Sequence, residues 1–527
     1  MRKITLLIVL VSFQIFAQVE VVSNFSWANK TKVGNKIIFT HTTPEFGAEL
    51  WVSDGTTAGT MILKDINTGV NSSSPNFFTL IDGIVYFQAN TDQIWRTDGT
   101  ALGTYYLVIN NQVTNPKNFV KAGQFIFFSE GTAGTSCCHS LWKTLTSPNS
   151  ESLVTPLATF LDVDGLVELD SDEVVFNAKT SSGWGIWRSN GVVNELIKDI
   201  NTGLNSLDIP QMRLPKNIDG TIYFNGFSSD FGGELWTSNG TLPETNMVRD
   251  IYTLNDNPFS NLSSSSPTKF TKVGTDVYFS ARDVAHGFEL WKTNGTGPGT
   301  TMVKDINVGN NSNFGPDSFT RVDSFLYFTQ NNSENPGNTQ IWKTNGTEPG
   351  TVLVTSLPNS YLNNIELFYS NGIIYFSLFN PASGSELWKL NTSTDTVSLI
   401  SDIATGTASS NPADFFEFNG FIYFTATSDG TFGGIKTYRI AEQSLGNSDL
   451  SKLNTSVSPN PTRDFVTIDL KKQIDFSVEI YDLLGKKIAQ FFNQKLLDFT
   501  DLESGVYLVK ISDLESGQNT IHKIIKK

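Results

Sequence analysis

The chain has 527 residues and a formal net charge of −15, with 39% hydrophobic and 12% aromatic residues. This composition supplies enough apolar side chains for a packed interior and excludes a disordered chain. Residues 448–527 contain 11 basic and 11 acidic residues, so all of the net negative charge lies in the first 447 residues. Such a surface repels phosphate groups, which argues against nucleic acid and anionic membranes as partners.

Residues 1–18 have the pattern of a signal peptide. Arg2 and Lys3 precede an apolar run, and Ala17 supplies a small residue before a cleavage point. Ser12 and Gln14 interrupt the run, whereas a membrane anchor needs about 20 apolar residues. The sequence therefore predicts export, with a mature chain that begins near Gln18.

A repeat occupies residues 19–446, where eight tryptophans recur every 44 to 55 residues, a period typical of propellers and solenoids. We expect these tryptophans to be mostly buried structural anchors at one equivalent position of successive sheets. They are Trp51, Trp95, Trp142, Trp187, Trp236, Trp291, Trp342 and Trp388. A strand pattern that ends in Phe recurs nine times, so nine repeats can be counted.

The second repeat contains four short β-prone segments separated by turns such as Asp82-Gly83 and Asp98-Gly99. The sequence therefore predicts an all-β fold, a β-propeller of about eight or nine four-stranded blades. The ninth repeat ends at Ile440, one strand short. We expect residues 19–22 to pair beside residues 436–440 and supply that strand, because an open propeller would expose strand edges.

The turn after each tryptophan is Asp-Gly or Asn-Gly in six repeats, and four of the six are Asn. Asp and Asn both bond the backbone of turns, and Gly supplies positive φ, so we interpret this element as structural. The segment Glu49 to Thr56 and its copies resemble the ELWxxDGT repeat of exported bacterial proteins over roughly residues 25–440. Leu145 and Asn391-Thr392 depart from that pattern. The resemblance implies a repeat scaffold with no defined reaction.

Three segments after fourth strands resemble the opening of a calcium loop, because oxygen-bearing residues alternate there. The third carboxylate and the distant Glu of such a loop are absent. Two interpretations stay open, capped turns between blades or weak calcium binding, and no other cofactor is predicted. The candidate calcium ligands are Asp65, Asn67, Asp199, Asn201, Asp305 and Asn307.

Cysteine occurs only at Cys137 and Cys138, followed by His139. These two residues cannot build a disulfide framework, and they leave a strained ring, free thiols or a metal site as alternatives.

No catalytic residue is predicted, because the chain contains no nucleophile elbow, zinc-protease motif or phosphate loop. Paired carboxylates could meet in the fold without a sequence signature. The leading hypothesis is a protein that is not an enzyme, and a carbohydrate-active enzyme with carboxylates on one propeller face is the alternative.

The C-terminal part begins after a polar linker at residues 447–452. Residues 453–527 contain Ser458-Pro459-Asn460-Pro461, a hairpin at residues 480–487, the strand 505–511 and a basic tail. Their alternation predicts a small immunoglobulin-like β-sandwich. This segment resembles the type A C-terminal sorting domain of the type IX secretion system.

That resemblance implies that residues 453–527 interact with the secretion machinery and are then removed, often with attachment of the product to surface lipopolysaccharide. An ordinary accessory module is the alternative. The sequence as a whole predicts a secreted or cell-surface protein that binds a glycan, a protein or matrix, as adhesins do. A filler of surface layers is a third hypothesis.

Overall fold

A computed structural model describes the chain in two compact units, residues 1–442 and 443–527. No helix in the described part is long and apolar enough to cross a membrane. Cys137, Cys138, His139, Asn201, the predicted signal peptide and the predicted linker lie outside the described residues. The described ranges are 19–107, 115–130, 140–145, 155–169, 172–200, 210–253, 264–308, 315–331, 338–357, 365–431, 434–441, 455–470, 475–482, 487–513 and 519–527.

The described part of the first unit forms nine four-stranded antiparallel sheets, which we call blades 1 to 9 in chain order. In blades 1 to 8 the four strands follow one another along the chain. Strand β1 (Glu20–Ser23) precedes blade 1 and belongs to blade 9. The first four blades are β2 (Ala28–Val33), β3 (Lys36–Thr43), β4 (Gly47–Ser53) and β5 (Met61–Lys64); β6 (Asn76–Ile81), β7 (Ile84–Ala89), β8 (Gln93–Thr97) and β9 (Tyr105–Tyr106); β10 (Lys117–Ala122), β11 (Phe125–Ser129), β12 (Ser140–Leu145) and β13 (Thr155–Thr159); β14 (Asp162–Leu169), β15 (Glu173–Thr180), β16 (Gly183–Ser189) and β17 (Asn194–Lys198).

The other five blades have the same order. They are β18 (Met212–Ile218), β19 (Thr221–Ser228), β20 (Gly232–Ser238) and β21 (Asn246–Arg249); β22 (Thr268–Val273), β23 (Asp276–Asp283), β24 (Gly287–Thr293) and β25 (Thr301–Lys304); β26 (Asp317–Val322), β27 (Phe325–Asn331), β28 (Thr339–Thr344) and β29 (Val352–Leu357); β30 (Phe368–Ser370), β31 (Ile373–Asn380), β32 (Gly384–Asn391) and β33 (Thr396–Ser401); and β34 (Ala413–Phe418), β35 (Phe421–Thr427) and β36 (Ile435–Ala441) beside β1.

Nine buried apolar clusters join these blades into a closed ring. One cluster packs Ile38 of blade 1 against Phe87 of blade 2, and seven similar clusters continue around to blade 9. The ninth packs Phe418 of blade 9 against Phe39 of blade 1. The predicted propeller is therefore confirmed, because β-prone segments bury one apolar face against each neighbouring blade.

Blade 9 closes the ring with both ends of the first unit. Strand β1 pairs antiparallel with β36, with Glu20 opposite Arg439. The Glu20 carboxylate accepts a hydrogen bond of 2.9 Å from the Arg439 guanidinium, and Val22 is buried. The predicted pairing of residues 19–22 beside residues 436–440 is confirmed.

The tryptophans occupy one place in the register of every blade, opposite the Phe of the second strand, and Tyr438 takes that place in blade 9. Trp95, Trp142, Trp236 and Trp291 are buried, and the other four are partly buried. We interpret the position as an anchor between blades. The cross-strand pairs are Phe39–Trp51, Phe87–Trp95, Phe128–Trp142, Phe176–Trp187, Phe224–Trp236, Phe279–Trp291, Phe328–Trp342, Phe376–Trp388 and Phe424–Tyr438.

The first strands contact one another in succession from blade 1 to blade 9. Eight of them carry a bulge or other register irregularity within their first five residues. At this point Phe77, Leu214 and Lys269 have φ values between 51° and 64°, a conformation that bulky residues rarely adopt. Most of the residues that follow them, such as Phe270, then point into the contact between blades.

The second unit contains two sheets of its own, packed around a buried core that includes Val478, Val509 and Ile511. This arrangement confirms the predicted small all-β domain. One sheet has the order β37 (Thr455–Ser458), β38 (Phe465–Leu470), β41 (Leu496–Asp498), and the other has β40 (Lys487–Phe492), β39 (Phe476–Tyr481), β42 (Gly505–Asp513), β43 (Asn519–Lys526).

Candidate functional site

The alternation of strand directions gives the propeller two different faces. Turns between first and second strands and between third and fourth strands lie on one side, which we call the turn face. Loops between second and third strands, and between one blade and the next, lie on the other side, which we call the loop face. A candidate site must be sought on each face, because loops carry binding residues more often than the sheets beneath them.

The turn face is built from a repeated structure whose polar groups bond to one another. Asp54 Oδ1 accepts hydrogen bonds from the backbone N–H and the hydroxyl of Thr56, and these bonds lower the pKa of Asp54. Asn294 makes the same two bonds to Thr296 in blade 6. Because a neutral amide replaces the carboxylate, the turn does not depend on charge.

Two features of this turn require glycine: its positive φ and the close approach of a tyrosine hydroxyl from a neighbouring blade. Gly346 has a φ of +87°, and a Cβ added there would lie 2.2 Å from the hydroxyl of Tyr278. Gly55 has the same relation to Tyr423, and its carbonyl accepts a hydrogen bond from the hydroxyl of that residue. The turns therefore serve packing between blades.

On the loop face, a buried glutamate holds the connection between blades. Glu49 is fully buried, and its carboxylate accepts hydrogen bonds from the backbone N–H groups of Ile66 and Ser73 and from the Ser73 hydroxyl. Glu234 and Glu386 accept the corresponding bonds in blades 5 and 8. In the Glu-Leu-Trp segment, the Glu therefore binds the loop to the next blade, and the Trp packs between blades.

Blade 4 performs the same task with different residues. It has Gly185 where blades 1, 5, 6 and 8 have Glu. Gln211, just before the first strand of blade 5, accepts a hydrogen bond of 2.9 Å from the Ile200 N–H. Its amide group donates to the Trp184 carbonyl and to Asp199 Oδ1. The described ends of this connection are therefore held by an amide in place of a carboxylate.

Two of the buried glutamates predict a pH dependence of the propeller's stability. Burial raises the pKa of Glu234 and of Glu289 to about 7, against the opposing effect of their hydrogen bonds. Since the folded-state pKa lies above the ordinary value of 4.5, folding is favoured while these groups are protonated, and this contribution is lost as the pH rises from about 4.5 through 7. We expect the melting temperature to fall between pH 5 and pH 8.

Calorimetry of the wild type and of the Glu234→Gln and Glu289→Gln variants measures this effect, and the Gln variants should show flatter profiles. Glu45→Gln, on an exposed loop, is the matched control. His286 titrates with the same sign, because a hydrogen bond to Asp283 raises its pKa, so only the comparison between variants assigns the effect. A Gln variant as steep as the wild type would contradict the prediction.

The candidate calcium segments lie at three separate blade junctions and do not come together. Asp65 Oδ2 accepts a hydrogen bond from the Gly69 N–H, and Asp199 Oδ1 accepts one from Gln211. The side-chain amides of Asn67 and Asn307 donate to the following blade. One oxygen each of Asp65 and Asp305 is buried and has no hydrogen-bond partner in the described part.

No group of three His, Cys, Asp or Glu side chains among the described residues is placed to hold a metal ion. Weak calcium binding stays a prediction.

One cluster on the loop face breaks the symmetry of the blades, and we call Tyr252, Arg282, Asp283, His286 and Phe288 the Arg282 cluster. The Arg282 guanidinium lies 5.1 Å from the ring centre of Tyr252 and 5.5 Å from that of Phe288. His286 Nδ1 lies 2.8 Å from Asp283 Oδ2. These side chains combine aromatic faces, a cation and a polar pair, which suits binding of a polar ligand.

Sequence reasoning missed the Arg282 cluster, because its members come from two blades. A signal was present in the departure of single residues from the repeat. Where blade 6 has Arg282 and His286, blade 1 has Thr42 and Phe46. A residue that only one repeat carries cannot serve a need that all repeats share.

In the C-terminal unit, the Pro-Asn-Pro segment fixes the last strand. The Asn460 amide donates to the Lys523 carbonyl and accepts a hydrogen bond of 2.9 Å from the Ile525 N–H. Thr462 forms a parallel bridge to Lys526. Two segments that lie more than 60 residues apart in the chain therefore form one structural element.

Comparison with known proteins identifies residues 456–527 as a match to the secretion system C-terminal sorting domain. This domain marks the chain as one exported to the cell surface or secreted, and it implies interaction with the type IX secretion machinery. No curated protein matches the chain.

Solved structures resemble the chain only distantly. PorZ of Porphyromonas gingivalis, an essential bacterial surface component of the type-IX secretion system, is 12% identical with a TM-score of 0.27, over 94% of this chain and 80% of PorZ. The extracellular domain of BT4673 from B. thetaiotaomicron is 11% identical with a TM-score of 0.30, over 95% and 74%. Sqt1 of Saccharomyces cerevisiae is 9% identical with a TM-score of 0.38, over 68% and 93%.

Proposed function

We propose that the chain is a non-catalytic binding protein of the outer cell surface, whose propeller binds an extracellular glycan or protein through the loop face. In this proposal residues 453–527 deliver the chain to the secretion machinery and are removed. The new C-terminal end then attaches the propeller to the surface, with lipopolysaccharide as the acceptor. The repeats are of the ELWxxDGT type and serve as scaffold.

The Arg282 cluster carries this proposal. The polar side chains that recur in the blades satisfy the fold itself, as Asp54 and Glu49 do, and leave little chemistry for a ligand. Arg282, His286 and Tyr252 are not residues of the repeat, since blade 1 has Thr42, Phe46 and Asn67 at the equivalent positions. Arg282 Nε donates one hydrogen bond of 2.8 Å to the Ser264 carbonyl, which holds the guanidinium in place. An arginine between aromatic rings is also a frequent centre of binding energy at interfaces.

The test is a glycan and matrix-protein array probed with mature protein purified from the host. We expect retention of one ligand class without release of a product, and loss of at least about tenfold in affinity in Arg282→Ala. Leu102→Ala, on the turn face, is the control, and the melting temperature of each variant shows whether it folds. Release of a cleaved sugar would favour the carbohydrate-active alternative, and absence of any retained ligand would contradict the proposal.

Processing gives a separate prediction. The mature protein should begin near Gln18 and lack the residues beyond about 450. Strand β36 ends at Ala441, so a cut near residue 450 leaves all nine blades complete. Intact-mass measurement of secreted and surface material checks both ends. Presence of Lys527 on the surface form would contradict removal of the sorting domain.

A further inference from the structure

Both ends of the propeller lie on the turn face. A third strand runs from the loop face to the turn face, so β36 finishes at the turn face with Ala441. Strand β1 is antiparallel to β36, with Glu20 opposite Arg439, so its first residue lies at the same edge. The chain therefore enters and leaves the propeller on one side.

Contacts around the closing blade place these ends beside a turn of blade 1. Arg439 Nη1 donates a hydrogen bond of 2.9 Å to the carbonyl of Gly55, which lies in the turn between the third and fourth strands. The Thr57 hydroxyl of the same turn donates to the Val22 carbonyl at 2.7 Å. Side-chain contacts and strand direction thus assign the ends to the same face independently.

A chain cut near residue 450 keeps roughly nine residues after Ala441, which span at most about 30 Å however they are arranged. An attachment through that end holds the turn face near the attachment point. The loop face lies on the opposite side of nine packed blades. The Arg282 cluster is on that face, between the second and third strands of blade 6 and the preceding loop.

We infer that the mature protein is displayed with its turn face toward the cell and its loop face outward, so that its partner is a macromolecule of the surroundings and not a component of its own outer membrane. This inference rests on the attachment proposed above. It does not depend on which ligand the loop face binds.

Two exposed side chains allow a matched test in adjacent blades. Val70, on the loop face between blades 1 and 2, is 71% exposed, and Leu102, on the turn face of blade 2, is 96% exposed. Val70→Cys and Leu102→Cys are each placed in a background that carries Cys137→Ser and Cys138→Ser. Intact cells and purified protein are then treated with a maleimide coupled to a large polyethylene glycol.

Because thiol labelling follows exposure, we expect the Cys at position 102 to react about tenfold more slowly than that at position 70 on intact cells, and equally fast in purified protein. Equal labelling of both positions on cells, or faster labelling of position 102, would overturn the orientation. Recovery of the protein only from the medium would overturn the attachment. Neither result bears on the array measurement, so failure of the display and failure of ligand binding are distinguishable.

Discussion

Replacing Val22 by Asp is expected to destabilise the propeller by about 3 to 4 kcal/mol, because the change buries an unpaired charge in the cluster that closes the ring. Val22 is 3% exposed and packs in the same cluster as Trp27 and Tyr423. Loss of β1 from blade 9 would also expose the edge of β36, which invites association between molecules. Urea unfolding and light scattering measure the two effects.

The neighbouring residue provides the control. Val21 belongs to the same strand but is 46% exposed, so Val21→Asp should change the free energy of unfolding by less than about 0.5 kcal/mol. If both variants unfold at the same urea concentration as the wild type, β1 does not contribute to closure and the ring is held by its other contacts.

Replacing Trp291 by Ala is expected to cost about 3 to 5 kcal/mol, the usual effect of emptying a large aromatic site. Trp291 is 5% exposed and packs between blades 5 and 6 with Phe270 and Ile251. Trp291→Phe should cost less than about 2 kcal/mol, since it retains most of the packing. Chemical denaturation of the two variants measures the difference.

The equivalent tryptophan of blade 3 allows the contribution of a hydrogen bond to be measured apart from that of packing. The Trp142 indole donates a hydrogen bond of 3.0 Å to Glu130, whereas the Trp291 indole has no hydrogen-bond partner in the described part of the chain. Trp142→Phe should therefore cost about 1 kcal/mol more than Trp291→Phe. If Trp291→Ala costs less than about 1 kcal/mol, the position is not an anchor, and a stacking surface for sugar rings becomes the better hypothesis.

The repeat made the strands, the blades and the closing pair predictable. Hydrophobic alternation and the Asp-Gly or Asn-Gly turns are local signals. The closing pair followed from the ninth repeat, which has one strand fewer than the others. The irregularities in the first strands were not predictable. Phe77, Leu214 and Lys269 adopt positive φ without being Gly or Asn, because the packing of the first strands imposes a conformation that these residues rarely adopt.

The candidate site was much less predictable than the fold. The sequence marked Asp65 and Glu49 through repetition, and both turned out to bond to the loops between blades. Arg282 and Tyr252 come into contact only when two blades pack together, and no spacing in the sequence predicts this contact. Repetition therefore identifies what the scaffold needs, and a ligand site is found where one repeat departs from the others.

The meeting of both ends in blade 9 makes the propeller a natural subject for circular permutation. A short peptide from residue 441 back to residue 19 would join neighbouring ends of one sheet, because Glu20 already lies opposite Arg439. Opening the chain at Val70 instead would keep the nine sheets and move both new ends to the loop face. Fused to the same sorting domain, such a permutant would be held by the opposite face, and the exported ring would present its Asp-Gly turns to the outside.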